Sequence, residues 1–83
     1  MAVININGNF TWSEDWLSEN PFGLLNEIEK LTNTNPNFVI EDGALYNSQK
    51  TILFRVPVKQ LELLLPNALK YVAANACRKC RYI

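Results

Sequence analysis

Residues 37–56 read NFVIEDGALYNSQKTILFRV, and this stretch decides the fold that the sequence predicts. It is rich in the β-branched and aromatic residues that favour strands. Asp42-Gly43 is a dipeptide typical of a tight turn between two antiparallel strands. Residues 47–50 predict a second turn, so residues 51–56 would form the third of three consecutive strands.

Two amphipathic patterns flank these strands. Asn20-Pro21 is a common helix start, and Leu24, Leu25, Ile28 and Leu31 follow it at helical spacing. Nearer the end of the chain, one helical face would collect Leu61, Leu64, Leu65, Ala68, Leu69, Val72 and Ala76. Pro66 would either kink this second helix or divide it. The sequence therefore predicts one domain over residues 1–83, of the α+β class, with a small antiparallel sheet of three or four strands and two main helices packed on one face.

The first residues leave two structures open. Residues 3–6 alternate like a strand, and Asn7-Gly8 follows them as a turn dipeptide. Either residues 9–12 return as the second strand of a hairpin, or the strand ends near Phe10 and a short helix follows. In the second case Thr11 or Ser13 would cap that helix.

The charged residues are segregated along the chain. Residues 1–45 hold seven acids and one base, a net charge of −6, and residues 46–83 hold seven bases and one acid, a net charge of +6. Such asymmetry indicates a partner selected by charge. We expect the acidic half to bind a protein or protein complex with a basic surface, through Glu14, Asp15, Glu19, Glu27 and Glu29.

Two further sets of residues are candidates for binding. Trp12 and Trp16 would lie one turn apart on a helix and could anchor a protein partner, although a small domain also needs large aromatic side chains in its core. The basic residues Lys70, Arg78, Lys79 and Arg81 would gather at the end of the last helix, where they could contact nucleic-acid phosphates. A third alternative is a self-associating structural protein, such as a homodimer, in which oppositely charged ends pair head to tail or symmetrically.

The predicted order helix, strand, strand, strand, helix over residues 22–79 resembles the topology of double-stranded-RNA-binding domains. Leu24-Leu25-Asn26-Glu27 and Ala73-Ala74 are similar to that family's pattern in its first and last helices. The resemblance implies nucleic-acid binding as the alternative function. The family's lysine cluster at the start of the last helix is reduced here to Lys59, so no RNA-binding residue is carried over.

Residue types argue against catalysis. The chain has no histidine, the usual general base at neutral pH and the commonest metal ligand. It also lacks a glycine-rich phosphate loop and a serine nucleophile motif. Cys77 and Cys80 form a CxxC pair, half of what a zinc site needs, so a zinc site would require two chains. We expect a non-enzymatic protein without metal or cofactor, whose thiols lie against the core.

The cellular setting follows from composition. No apolar run approaches the roughly 18 residues of a membrane span, and two cysteines fit a reducing compartment, so we expect a cytoplasmic protein. The eleven asparagines are typical of an AT-rich coding sequence. We therefore expect a small phage or mobile-element accessory protein that inhibits or modulates a host complex by steric or electrostatic blockade.

Overall fold

The computed structural model describes residues 2–25, 28–58 and 63–78. These residues form six strands in two sheets. The two-stranded sheet pairs β1 (Ala2–Ile6) with β2 (Ile28–Asn33) in parallel. The four-stranded sheet has the order β3 (Phe38–Glu41), β4 (Ala44–Asn47), β5 (Ile52–Arg55) and β6 (Tyr71–Val72). Two 3-10 helices, Glu14–Leu17 and Pro21–Leu24, lie between β1 and β2.

The predicted α+β class, with two main helices packed on a small antiparallel sheet, is wrong. The described residues are mostly sheet, and their helical residues are confined to the two short 3-10 helices. The resemblance to the double-stranded-RNA-binding topology falls with the two helices on which it depended. No helix in the described part of the chain is long and apolar enough to cross a membrane.

The central strands are as predicted. Phe38 lies opposite Asn47 and Glu41 lies opposite Ala44, so β3 and β4 form an antiparallel hairpin. Its turn residues Asp42 and Gly43 have φ values of 52° and 82°, the positive angles that a type I′ turn requires. β5 then continues the sheet antiparallel to β4.

A bulge explains why the first predicted helix is instead a strand. In the β1–β2 ladder Ala2 lies opposite Ile28 but Val3 lies opposite Lys30, so β2 has one extra residue at this point. The extra residue brings Ile28 and Leu31, three positions apart, to the same buried side. That spacing is also the spacing of one helical face, which is why the pattern predicted a helix.

The second predicted helix is a crossover connection over residues 63–70 followed by β6. Leu69 N–H donates to the Pro66 carbonyl at 3.1 Å, so the proline begins a turn and neither kinks nor divides a helix. β6 then pairs in parallel with β5. Parallel neighbours need a long connection, and this one carries Leu63 and Leu69 onto the sheet. Residues 59–62 and 79–83, where the predicted helix would begin and end, lie outside the described residues.

The strand predicted at residues 3–6 is confirmed, and the hairpin after it is wrong because β1 pairs with β2. The alternative holds in part. A 3-10 helix follows Ser13, but no side-chain hydrogen bond caps it. Instead the Ser13 carbonyl accepts from Trp16 N–H at 3.0 Å.

Both faces of the four-stranded sheet are covered. On one face Phe38, Leu45, Ile52 and Phe54 join a cluster with residues of β1, β2 and the second 3-10 helix. On the other face Tyr46 and Leu53 pack beneath the crossover connection. Burial on both faces explains why β4 and β5 show continuous burial in place of alternating polar and apolar residues.

Gly23 allows the second 3-10 helix to approach the residues after β6. A Cβ atom at this position would lie 2.5 Å from the Ala74 carbonyl oxygen and 2.9 Å from Asn75 Cβ. We predict that Gly23→Ala lowers the free energy of unfolding by about 1–3 kcal/mol in urea denaturation, because backbone must move to admit the methyl group.

The control for this prediction is Gly8→Asn. Gly8 has φ +82° and no atom within 4 Å of an added Cβ, so only backbone preference changes there. Because asparagine tolerates positive φ, this variant should lose less than about 1 kcal/mol. Equal losses in the two variants would contradict the close approach at Gly23.

Candidate protein-binding surface

The first 3-10 helix and the residue pair after it present three carboxylates, Glu14, Asp15 and Glu19, which we call the acidic turn. All three residues are exposed. The Asp15 carbonyl accepts from Ser18 N–H at 3.1 Å and from Glu19 N–H at 2.8 Å. These backbone bonds close the turn that carries the three acids, which lie within six consecutive residues. The predicted acidic set is thus brought together in part.

The two predicted aromatic anchors lie beneath this turn, half-buried against the core. The Trp16 ring centroid is 5.7 Å from that of Phe22, 6.1 Å from Phe38 and 5.8 Å from Phe54. Trp12 lies 6.2 Å from Phe54. Both tryptophans therefore pack against aromatic residues of the core. Their role as anchors for a partner stays a prediction.

Phe10 is an exposed aromatic that the sequence analysis did not single out. Its side chain is 46% exposed, and its ring centroid lies 5.4 Å from Phe38 and 6.4 Å from Trp16, the residue after Asp15. Its carbonyl accepts from the side-chain amides of Asn35 and Asn37, each at 3.0 Å. Phe10 is thus held firmly at the edge of the aromatic cluster, with part of its surface open to a partner.

In the sequence, the pattern that indicates how Phe10 is held is asparagine at every second position, from Asn33 to Asn37. Asn33, Asn35 and Asn37 bond backbone groups two residues away or in the segment before Phe10. Asparagine side chains commonly form such local bonds with the backbone. The repeated spacing indicates an ordered loop. It does not indicate that the loop bonds the segment of Asn9 and Phe10.

Asn20 fastens the acidic turn to the sheet. Its side chain is 2% exposed, and its amide donates to the Phe54 carbonyl at 2.7 Å and to the Ala74 carbonyl at 3.0 Å. Its carbonyl oxygen accepts from Phe22 N–H at 3.1 Å, the side-chain cap of the second 3-10 helix. The Leu17 carbonyl accepts from Ala74 N–H at 2.9 Å. The turn therefore has a fixed position relative to β5 and β6.

Several bases of the second half are engaged inside the fold. Arg55 is fully buried, and its guanidinium donates to the Leu25 carbonyl at 2.7 Å and to the Arg78 carbonyl at 3.1 Å. Lys50 forms an ion pair with Glu41 at 2.6 Å. Arg78 itself is half-buried, with its guanidinium 3.4 Å from the Gly23 carbonyl that accepts from it.

The remaining predicted site residues are dispersed or outside the described part of the chain. Glu29 is exposed on β2, away from the acidic turn in sequence, and Lys70 is exposed just before β6. Glu27, Lys79 and Arg81 lie outside the described residues. Of the four predicted nucleic-acid contacts, Lys70 and Arg78 are therefore the two whose exposure the structure gives.

The residues suited to metal binding and thiol chemistry are acids and one cysteine in the described part of the chain. Within residues 2–25, 28–58 and 63–78, no group of three or more histidine, cysteine or acidic residues could hold a metal ion. Cys77 is an exposed free thiol, so the expectation that it lies against the core is wrong: residues 74–78 form turns in place of the predicted helix, and Cys80 lies outside the described residues. The arrangement of the CxxC pair is therefore not described.

Tyr46 is a buried core residue whose phenol has a shifted pKa. Burial raises the pKa of its phenol, and the nearby charges of Glu41, Asp42 and Cys77 raise it further. Its hydroxyl is buried and has no hydrogen-bond partner among the described residues. Tyr46 therefore remains neutral, and its ring packs in the core beneath the crossover connection.

Comparisons with protein-family models, with curated proteins and with solved structures found no match for this chain. The case for a function therefore depends on the surface geometry itself. In that geometry the acidic turn and Phe10 are the combination that suits a macromolecular partner, since three exposed carboxylates belong to the same segment as Trp16, whose ring neighbours the exposed Phe10.

We predict that Asn20→Asp destabilises the protein by about 2–4 kcal/mol at pH 7, because the Phe54 and Ala74 carbonyls both lose their donor. A protonated carboxyl group can still donate one hydrogen bond, so the loss should be smaller near pH 3.5. Urea denaturation of variant and wild type at both pH values measures this. Asn7→Asp, at an exposed position, is the control and should change little. A loss independent of pH would contradict the assigned bonds.

We predict that Tyr46→Phe keeps or raises the free energy of unfolding at pH 7, by up to about 1 kcal/mol, since it removes a buried hydroxyl without a described partner. The pKa of Tyr46 is higher in the folded than in the unfolded chain, so its contribution to stability is lost as pH rises above roughly 10. The variant should lack this alkaline loss. Tyr71→Phe, at an exposed tyrosine, should retain it. A clear destabilisation of Tyr46→Phe at pH 7 would contradict the prediction.

Proposed function

We propose that this chain is a cytoplasmic, non-enzymatic protein-binding module, a phage or mobile-element accessory protein that inhibits or modulates a host complex. It would act by covering a basic surface of that complex. The acidic turn supplies the charge, and Phe10 supplies an apolar contact beside it.

The observation that supports this proposal is that the acidic turn is exposed, whereas three bases of the second half are buried, half-buried or paired. The acidic turn keeps three carboxylates exposed within six consecutive residues. Arg55 is buried, Lys50 is paired with Glu41, and Arg78 is half-buried. Among the described residues, the exposed charge that is concentrated in one place is therefore negative, and it favours a basic partner.

In the proposed mechanism the carboxylates set the association rate and Phe10 sets the dissociation rate. Exposed carboxylates raise the rate of encounter with a basic surface, an effect that added salt screens. Phe10 would slow dissociation, because a partly exposed aromatic in a fixed position loses little conformational entropy on binding. The bound module would then block access to the covered surface sterically.

Nucleic-acid binding through the basic residues stays the alternative. It depends on Lys70, Arg78, Lys79 and Arg81, of which Lys70 is exposed and Arg78 is half-buried in the structure. A gel-shift assay at low salt distinguishes the two functions. Binding that falls steeply with added salt would favour the nucleic-acid function over the proposed one.

The test of the proposed function is charge removal at the acidic turn. We predict that the triple variant Glu14→Gln, Asp15→Asn, Glu19→Gln captures at least about tenfold less partner from source-cell extract than wild type, as measured by quantitative mass spectrometry. Reversal of the same three positions to lysine should abolish capture. The partner retained by wild type should elute as salt is raised.

The matched control adds three positive charges elsewhere, through Ser48→Lys, Asn67→Lys and Ala68→Lys at exposed turn positions. Its net charge equals that of the neutralised variant, so a nonspecific charge effect would weaken both equally. We expect the control to capture partner as wild type does. Unchanged capture by the neutralised variant would reject the acidic turn as the binding surface.

A further inference from the structure

The outer edge of β1 is open. The two-stranded sheet has the order β1–β2, so β1 has a single strand neighbour among the described residues. Beyond β2, the Ile28 carbonyl accepts from Val58 N–H at 2.9 Å, and β2 also contacts β3. A two-stranded sheet is marginal by itself and usually gains stability from further strands. β1 is the side on which a strand can be added.

The register shows which groups of β1 face outward. Thr34 N–H donates to the Ile6 carbonyl at 2.7 Å, so the backbone groups of Ile6 face β2. In a parallel ladder inward and outward residues alternate, so Ile4 also faces β2. Val3 and Asn5 therefore direct their N–H and C=O groups away from β2, where a further strand could bond them.

β1 lacks the charged residues and prolines that often protect an edge strand. Its sequence AVINI contains no charged residue and no proline, and Val3 is 62% exposed. The edge of β6 differs. β6 has two residues, and Ala74 N–H just beyond it already donates to the Leu17 carbonyl at 2.9 Å. Of these two edges β1 is the longer, and no described strand pairs with its outer side.

We propose that β1 pairs with β1 of a second copy of this chain, antiparallel across a two-fold axis centred at Ile4. In this register Val3 lies opposite Asn5 of the partner subunit, and their outward backbone groups bond each other. Ile4 lies opposite Ile4 of the partner subunit on the half-buried side. Two sheets of two strands then join into one sheet of four.

Charge favours a second copy as the occupant. The chain has a formal net charge of zero, so two copies do not repel each other as a whole. β1 itself carries no charge, so self-pairing places no like charges opposite each other. Ile4, which is partly exposed at the edge of the core cluster, becomes covered by its symmetry mate.

The proposal is tested by light scattering of wild type and variants over a range of concentrations. Val3→Lys places a cation on the exposed edge and should weaken dimerisation by about tenfold or more. Val72→Lys makes the same substitution at a valine of similar exposure, 58%, on β6, and should leave the dimer unchanged. Val3→Thr keeps a β-branched, uncharged residue and should retain the dimer.

Amide hydrogen exchange tests the register in the same samples. The N–H groups of Val3 and Asn5 should exchange slowly in the dimer and at least about tenfold faster in Val3→Lys, whereas that of Ile6 should be protected in both. A wild type that is monomeric at all concentrations overturns the proposal. So does a dimer that survives Val3→Lys or is lost in Val72→Lys. Since Val3 lies outside the acidic turn, these results are separate from those of the partner-capture experiment.

Discussion

The buried guanidinium of Arg55 organises the part of the fold that surrounds it. Burying a cation is costly unless its donors are bonded, and Arg55 donates to carbonyls of residues distant in sequence, Phe22, Leu25 and Arg78. Through the Phe22 and Leu25 carbonyls, Arg55 connects the second 3-10 helix and the residue after it to β5. The chain leaves the helix extended at Leu25, with ψ 134°, and β2 follows. One side chain on β5 thus sets the position of the segment between the acidic turn and β2.

Buried asparagine side chains, like that of Arg55, bond backbone groups in other parts of the described chain. Asn20, Asn35 and Asn47 are buried, and each bonds backbone groups of a strand or connection distant from it or of a neighbouring turn. In a small fold without long helices, many backbone groups lie in turns and connections, and buried ones need partners. The asparagine-rich composition, which was interpreted as a trace of coding bias, therefore has a structural use.

Folding converts a charge pattern in the sequence into a different pattern on the surface. The second half is as rich in charge as the first, yet Arg55 lies in the core and Lys50 is matched with Glu41. The acidic turn keeps its charges outside because its short 3-10 helix packs the half-buried Trp16 against the core and leaves the carboxylates exposed. The acidic turn and the β1 edge belong to different elements, so capture of a basic partner and self-pairing need not compete.

The sequence by itself determined β1, the β3–β4 hairpin and the turn into β5, because these depend on turn dipeptides and strand-forming residues only a few positions apart. It also identified the acids of the turn. Only the tertiary structure decided β2 and β6. The apolar spacing of β2 comes from a bulge against β1, and Tyr71–Val72 becomes a strand because β5 is available beside it. The backbone of Phe10 is likewise held by Asn37, 27 residues away. Contacts between residues so far apart leave no local pattern, and for that reason helical spacing was mistaken for helices.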